Sequence, residues 1–426
     1  MTEESLISTL DPIVSEVPGG VLYEYIEQHN TWPALQIRDV KRSRSGDIMC
    51  ELTAFCEKPG SMTPCTGIKF NLSSLSARKQ TATGLKESYL DSSATWIDWT
   101  QILNDVCLRT IKLYHNGHDV EDVWPIGEIP KPSYLIEPIL PLHQPTIIFG
   151  EGGAGKGHFT MTLAIIAQLP FIDNNLGVKP LTTPSNCLYL DYESDYSAFQ
   201  RTLSGLCMGL ETAVGLKRMQ MSAPIPDCIE QISNKVFNEK IEFIIVDSLG
   251  PAAGGNINDA EPAIKLYSCL RQLKDVTTLI IAHNSKDPLS RTKSVYGSVF
   301  FTNLARSVWE LKKSQIEDSS EMIVALKHIK YNARKQSPMG FCFTFDNDTG
   351  GINVKRQDLT TTELEVEMKL EDRIKNLLLR DGLQTQVQIT EKLGVNKETI
   401  KTYLWRGVKK QYLVKVGDGY GIPSNY

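Results

Sequence analysis

The segment from Thr146 to Leu169, TIIFGEGGAGKGHFTMTLAIIAQL, constrains the fold more than any other part of the chain. A short apolar run enters a loop with glycines at 150, 152, 153 and 155, and an apolar helical stretch begins at Lys156. A strand that passes through such a loop straight into a helix opens a βαβ unit, which implies a parallel sheet covered by helices. The glycines let successive backbone N–H groups curl around an anion. The helix N-terminus adds the positive end of its dipole, and Lys156 adds a point charge. The pattern then breaks a rule of phosphate-binding loops. Where a Ser or Thr hydroxyl would hold Mg²⁺, the chain has Gly157. A ligand-free glycine turn is the plain alternative. Mg²⁺ keeps several waters and takes one or two protein ligands, so a further water can replace the hydroxyl at some loss of affinity or alignment. Thr160, nearly a turn further on, is a doubtful substitute, and His158 either approaches a phosphate or takes an exposed or capping role.

Beyond this loop, the apolar runs NCLYLDYE, IEFIIVDS, VTTLIIAHNS, EMIVALKHIKY and GFCFTFD are interleaved with helical stretches. They do not alternate polar with apolar residues, which suits strands buried on both faces of an α/β sheet. Three of them end in chemically useful groups: Asp191, Glu193 and Asp195; Asp247 and Ser248; His283, Asn284 and Lys286. Open α/β sheets bind ligands at these C-terminal strand ends. Glu193 is placed to orient an attacking water, and Asp195 to cap the helix DYSAFQRTLSGL. Asp247 is either a structural aspartate or the second anchor of a metal. His283, Asn284 and Lys286 are suited to sensing a terminal phosphate.

Before the sheet, ALQIRDVKRSRSGDIMCELTAFC reads as a hairpin around Ser43–Asp47, and IDWTQILNDVCLRTIKLYHN as an amphipathic helix burying Trp99, Ile102, Leu103, Val106 and Thr110. This is a small α+β domain. Lys41, Arg42 and Arg44 in KRSRSGD fit a solvated hairpin tip better than a nucleic-acid contact, and nothing here supports primase or nuclease chemistry. IGEIPKPSYLIEPIL, rich in proline and without a period, reads as a connector, and a second boundary falls near QDLTTTELEVE. After it come three helical segments and a hairpin around Gly417–Gly419. The third helix and hairpin carry Lys397, Lys401, Arg406, Lys409, Lys410 and Lys415 against Glu398 and Asp418, a basic patch on a chain of net charge −5. Phosphate contacts of this kind seat a helix in a DNA groove. A solvated face of a protein-docking module is the other reading. Of Tyr403 and Trp405, at least one is expected in the core rather than stacked on a base.

The nine cysteines show no CxxC pair or zinc spacing and are read as packing residues. The acidic N-terminal segment has no secretory character, and no apolar run approaches membrane-spanning length, so a cytoplasmic protein without a membrane partner is expected.

The ordered motifs GEGGAGK, LYLDYESD, IIVDS, IIAHNSK, VYGSVFFTNLARSVWEL and IKYNARK resemble the RecA-like ATPases of the plasmid RepA hexameric helicase type, a group related to the DnaB and KaiC-like proteins. The C-terminal helices and hairpin resemble a winged helix. The resemblance implies an α/β fold: a RecA-like P-loop NTPase core at 129–356 between an N-terminal α+β domain (1–128) and, after a linker (357–365), a winged helix (366–426). It implies ATP and Mg²⁺ as cofactors, DNA as partner and self-assembly into a hexameric ring. It also implies site roles. Lys156 binds phosphate within the loop Gly150, Glu151, Gly152, Gly153, Ala154, Gly155, Gly157 and His158; Glu193 is the base; Asp247 serves the metal; His283 lies on the sensor strand; Arg306 enters a neighbour's site; and Lys330 matches a lysine on a later strand. An ordinary ion pair is the alternative for Arg306. An ATP-controlled DNA-binding regulator with slow hydrolysis, and a filament-forming recombination or repair ATPase, remain alternatives to the helicase.

Overall fold

The computed structural model describes residues 11–25, 33–56, 65–88, 97–117, 120, 122–127, 132–169, 173–285, 294–314, 319–331, 336–359, 364 and 368–423. The chain forms two compact units, residues 1–130 with 230–237 and residues 131–229 with 238–426.

In the first unit, β1 (Ile13–Val17), β2 (Gly20–Glu24), β3 (Ala34–Arg42), β4 (Ile48–Phe55) and β5 (Cys65–Asn71) form an antiparallel meander in chain order, followed by α1 (Leu75–Ser88) and α2 (Trp99–Asn116). Alternation places Tyr23, Leu35, Ile37, Cys50, Leu52 and Phe70 in one core with the helices. The helix stripe expected from spacing is the buried one: Trp99, Ile102, Leu103, Val106 and Thr110, joined by Cys107. Asp98 caps α2 by accepting from the amides of Thr100 and Gln101. The turn at Ser43–Asp47 closes through the Asp47 carbonyl, which accepts from the Ser43 amide. Lys41 pairs with Asp39, and Lys41, Arg42 and Arg44 are exposed, as a solvated tip requires.

The second unit is built on a nine-stranded sheet. In chain order its core elements are β6 (Tyr134–Glu137), β7 (Leu140–Pro141), β8 (Pro145–Gly150), α3 (Lys156–Ala167), β9 (Lys179–Pro180), β10 (Cys187–Asp191), α4 (Tyr196–Gly209), β11 (Lys217–Gln220), α5 (Ile225–Asn238, shared with the first unit), β12 (Phe243–Asp247), α6 (Leu249–Ala253), α7 (Ala260–Gln272), β13 (Thr277–His283), α8 (Val299–Leu304), β14 (Ser307–Ser314), β15 (Glu321–Tyr331), β16 (Met339–Phe345) and β17 (Ile352–Gln357). The order is β11-β10-β12-β13-β8-β14-β15-β16-β17; the strands from β11 to β14 are parallel, and β15 to β17 continue antiparallel. This large mixed sheet fits a RecA-like core. The central strands β10, β12 and β13 are buried nearly throughout, and α3 is buried on all sides, as an apolar helix must be.

Two stretches depart from expectation. Half of the proposed connector is core: Leu135, Ile136, Ile139 and Leu140 are buried on β6, β7 and their turn, and β6 pairs further with β9. Prolines hid the strands because short edge pieces tolerate them. In the interval read as a linker, Leu359 and Leu364 are buried against Ala325.

The C-terminal segment comprises α9 (Leu370–Asp381), β18 (Gln384–Thr385), α10 (Gln386–Leu393), α11 (Lys397–Lys409), β19 (Val414–Val416) and β20 (Gly419–Gly421), with sheet order β18-β20-β19. Ile374, Leu377, Leu378, Ile389, Leu393, Ile400, Leu404 and Leu413 form its core. Thr385 and Gln388 make a reciprocal capping box at the start of α10, and Gly394, in the left-handed region, ends it. Among the described residues no helix is long and apolar enough to cross a membrane. All eight cysteines with described side chains, every one but Cys65, are buried.

Candidate active site

The loop between β8 and α3 lies at the C-terminal edge of the sheet and is held by contacts that only glycine permits. Gly155 has φ +85°, and a Cβ there would lie 2.6 Å from the Met322 methyl; at Gly150 it would lie 2.4 Å from the Leu311 carbonyl oxygen of β14. Gly155 stands at the N-cap of α3, where no side chain caps the first turn. The first amides of the helix therefore face the cleft, as anion binding needs.

The Lys156 side chain is buried, and its Nζ donates to the carbonyls of Gly150 (2.9 Å) and Glu151 (2.7 Å). Burial pushes its pKa below the ordinary lysine value, while Asp247, Glu193 and Glu151 oppose the shift. Asp247 ends β12 and is 9% exposed. Its Oδ2 accepts from the Tyr189 hydroxyl at 2.9 Å. Desolvation raises its pKa to about 6, the Tyr189 hydrogen bond and Lys156 pull it down, and Glu193 and Asp191 push it up.

Glu193 follows β10 on a turn organised by Asp191. The Asp191 Oδ1 accepts from the amides of Glu193 (3.0 Å) and Ser194 (2.9 Å), and its Oδ2 pairs with Arg218 Nε at 2.8 Å. Arg218 also donates to the Ser194 carbonyl (2.6 Å) and lies over the Phe199 ring. Asp191 is thus a structural group that presents Glu193. Asp195 caps α4 by accepting from the Ala198 amide at 2.8 Å, as expected. Glu193, half exposed, accepts from the Ser248 hydroxyl at 2.6 Å and stands 3.7 Å from His283 Nε2. Lys156, Glu193, Asp247 and His283 therefore line one cleft of about 280 Å³ together with the loop residues Gly153–His158.

Gly157 faces Asp247. A Cβ built there would have Asp247 Oδ2, at 4.0 Å, as its nearest neighbour outside its own helix. The missing hydroxyl has room, and the donor set without it is a buried carboxylate with a second carboxylate nearby. These residues fit a nucleoside triphosphate with a metal that keeps most of its waters. Thr160 is no replacement ligand: it is buried and donates back to the Gly157 carbonyl. The His158 ring packs edge-on against Phe343 and Phe345, and burial lowers its pKa. Among the described residues no group of three or more His, Cys, Asp or Glu side chains is arranged to hold a metal.

Two other expected site residues lie elsewhere. The exposed Arg306 precedes β14, and its amide donates to the Pro145 carbonyl at the start of β8. β8 and β14 run parallel, with Gly150 opposite Leu311. Arg306 is thus five residues, about 16 Å along a strand, from the loop edge. It has no carboxylate partner among the described residues. Lys330 does not enter the cleft. Its Nζ donates to the carbonyls of Thr302 (2.9 Å), Asn303 (2.7 Å) and Ala305 (2.8 Å), closing the C-terminal end of α8 next to Arg306. Lys286 and residues 332–335 of the IKYNARK motif lie outside the described residues.

Tyr189, Arg218 and Ser248 complete the site's supporting contacts. Tyr189 and Arg218 were missed in the sequence, although a tyrosine inside an otherwise apolar strand two residues before Asp191 is a signal that a buried hydroxyl needs a partner.

No curated protein matches the chain. Among solved structures, a KaiC-like protein from Pyrococcus horikoshii OT3 is similar at 16% identity, covering 52% of this chain and 93% of its own, with a TM-score of 0.35. Residues 114–288, which span the phosphate loop, Glu193, Asp247 and His283, match the AAA domain family AAA_25, and this match supports a RecA-like P-loop ATPase at the centre of the chain.

Proposed function

We propose that the chain is an ATP-binding and ATP-hydrolysing RecA-like protein that acts on DNA, as a ring-forming replicative helicase or helicase-like motor of a plasmid, phage or mobile element. The convergence of Lys156, Asp247 and Glu193 on one cleft at the mouth of a glycine loop carries this reading. The triphosphate takes the Lys156 ammonium from the two loop carbonyls that now hold it and the amides of the first turn of α3. Ser248 binds one oxygen of Glu193, which leaves the other to orient a water and accept its proton. Asp247 would hold Mg²⁺ together with water, and the metal would supply neutralisation of phosphate charge.

Arg306, just before β14, is too far from the loop edge to serve its own loop, which favours its use in the site of a second copy, where such an arginine raises turnover by ~10³ or more. The C-terminal segment is read as a winged helix whose Lys397, Lys401, Arg406, Lys409, Lys410 and Lys415, all exposed, meet DNA phosphates. Gly157 favours a second reading, an ATP-controlled DNA-binding regulator with slow hydrolysis.

Mixing Lys156→Ala with Arg306→Ala subunits tests the shared site. Each variant alone should be inactive, and the mixture should regain turnover, because one intact loop meets one intact arginine. A mixture without activity, or wild type that stays monomeric with a non-hydrolysable ATP analogue, refutes the assembly. Fork unwinding with ATP and Mg²⁺ separates motor from regulator.

A further inference from the structure

Helix α11 buries Ile400, Leu404 and Gly407 and turns its opposite side to solvent. Gly407 marks how closely the helix is seated, since a Cβ there would lie 2.5 Å from Leu413 and 3.0 Å from Tyr412. Of the two aromatic residues in the helix, Tyr403 packs against the core and Trp405 does not: it is 61% exposed. Lys401 lies one turn before Trp405 and Lys409 one turn after, with the Lys409 ammonium 5.0 Å from the indole centroid. Val408, also exposed, adjoins Trp405. The outward stripe is therefore cation, flat aromatic, cation.

This composition selects among polyanions. A duplex shows a docking helix the edges of its bases, which are rows of donors and acceptors. Glu398, 3.8 Å from the Lys401 ammonium, and Thr402 and Arg406 are exposed beside the stripe, but the indole at its middle offers base edges a single N–H. An unpaired base has a free flat face, and stacking on an aromatic side chain needs no edge pairing.

We propose that the outward face of α11 is a stacking surface for a single nucleic-acid strand, with Trp405 receiving an unpaired base and Lys401 and Lys409 the flanking phosphates. This rests on the reading that the C-terminal segment binds nucleic acid, and it goes beyond that reading by naming an unpaired strand as the ligand.

The test uses the full chain without nucleotide, labelled dT20, rU20 and a 20-base-pair duplex, and binding followed by anisotropy. Trp405→Ala should weaken single-strand binding by about 5- to 100-fold, with duplex binding changed less than about threefold, a shift of only ~0.6 kcal/mol. Trp405→Phe should keep most of the affinity but lose the tryptophan quenching that dT20 causes in the wild type. Because Trp405 is largely exposed, both variants should melt with the wild type. Unchanged single-strand affinity in Trp405→Ala, or an equal loss on the duplex, overturns the stacking surface. Polyglutamate that displaces dT20 as well as unlabelled dT20 does the same. Failure of the underlying reading looks different: the wild type binds none of the three, or Lys401→Ala/Lys409→Ala leaves all three affinities and their salt dependence unchanged.

Discussion

Replacing Gly157 by serine restores the hydroxyl that the phosphate loop lacks, and the structure specifies what should follow. Outside the backbone of its own helix, the added Cβ meets no atom closer than Asp247 Oδ2 at 4.0 Å, so no neighbour has to move. Gly157 is the second residue of α3, and removing a helical glycine should stabilise the protein by roughly 0.5 kcal/mol, raising Tm by about 1–2 °C for a domain of this size. From that Cβ the hydroxyl oxygen can stand roughly 3 Å from Asp247 Oδ2, the separation of adjacent ligands around an octahedral Mg²⁺ with bonds near 2.1 Å. One additional well-placed ligand should lower the Mg²⁺ concentration for half-maximal ATP turnover on the order of tenfold, about 1.4 kcal/mol. The assay is steady-state hydrolysis titrated with Mg²⁺ for wild type, Gly157→Ser and Gly157→Thr, with Lys156→Ala as the inactive reference. If Gly157→Ser melts as expected yet shows the same Mg²⁺ dependence and the same maximal rate, Gly157 and Asp247 do not flank a metal and the reasoning is wrong.

Glu193→Gln should abolish turnover while leaving binding of a fluorescent ATP analogue within about threefold, since the amide keeps the shape but cannot accept a proton; equal loss of binding would make the residue a phosphate ligand. Asp191→Asn leaves the part-buried Arg218 without its carboxylate and should lower stability by about 3 kcal/mol, read as a fall in Tm of roughly 6–12 °C; a Tm within two degrees of wild type contradicts this. Lys330→Met removes three hydrogen bonds from the end of α8 and should cost about 2 kcal/mol. If Arg306 acts in a neighbour's site, the same change lowers turnover without weakening nucleotide binding. His158 has its pKa lowered by burial. Its contribution to stability is present above the unfolded value near 6.5 and is lost as pH falls through the lower folded value. Thermal melts from pH 7 to pH 5 should therefore fall less steeply in His158→Phe than in wild type, and parallel curves would show that the ring stays accessible to protons.

The strands that the sequence reveals most clearly are those buried by their own composition. FIIVD and CLYLD read as strands because nothing in them opposes the sheet interior. β14, SVWELKKS, was hidden although it lies against β8, because Glu310, Lys312 and Lys313 resemble a surface segment. Only its place between two other strands buries Glu310, and pairing across the sheet is a property that local pattern does not carry. At the site, residue types at strand ends identified Lys156, Glu193, Asp247 and His283, which do meet. They could not identify Arg218, whose partner Asp191 is 27 residues away, or distinguish Lys330 as a helix-end contact from a phosphate ligand. Trp405 shows the same limit: helical spacing narrows a residue to one of two faces, and the packing of Leu413 and Tyr412 on Gly407 decides which face is covered.

The alignment of β14 with β8 has a mechanical side. From Ser307 to Leu311 the two strands are paired without a slip, while the pairing of β14 with β15 on the other flank shifts register between Val308 and Trp309. If a nucleotide in the cleft tilts the end of β8 at Gly150, the unslipped β8–β14 pairing is the direct path by which that tilt reaches Arg306. If Arg306 serves a second copy as proposed, that path joins one copy's cleft to the surface it offers to the next.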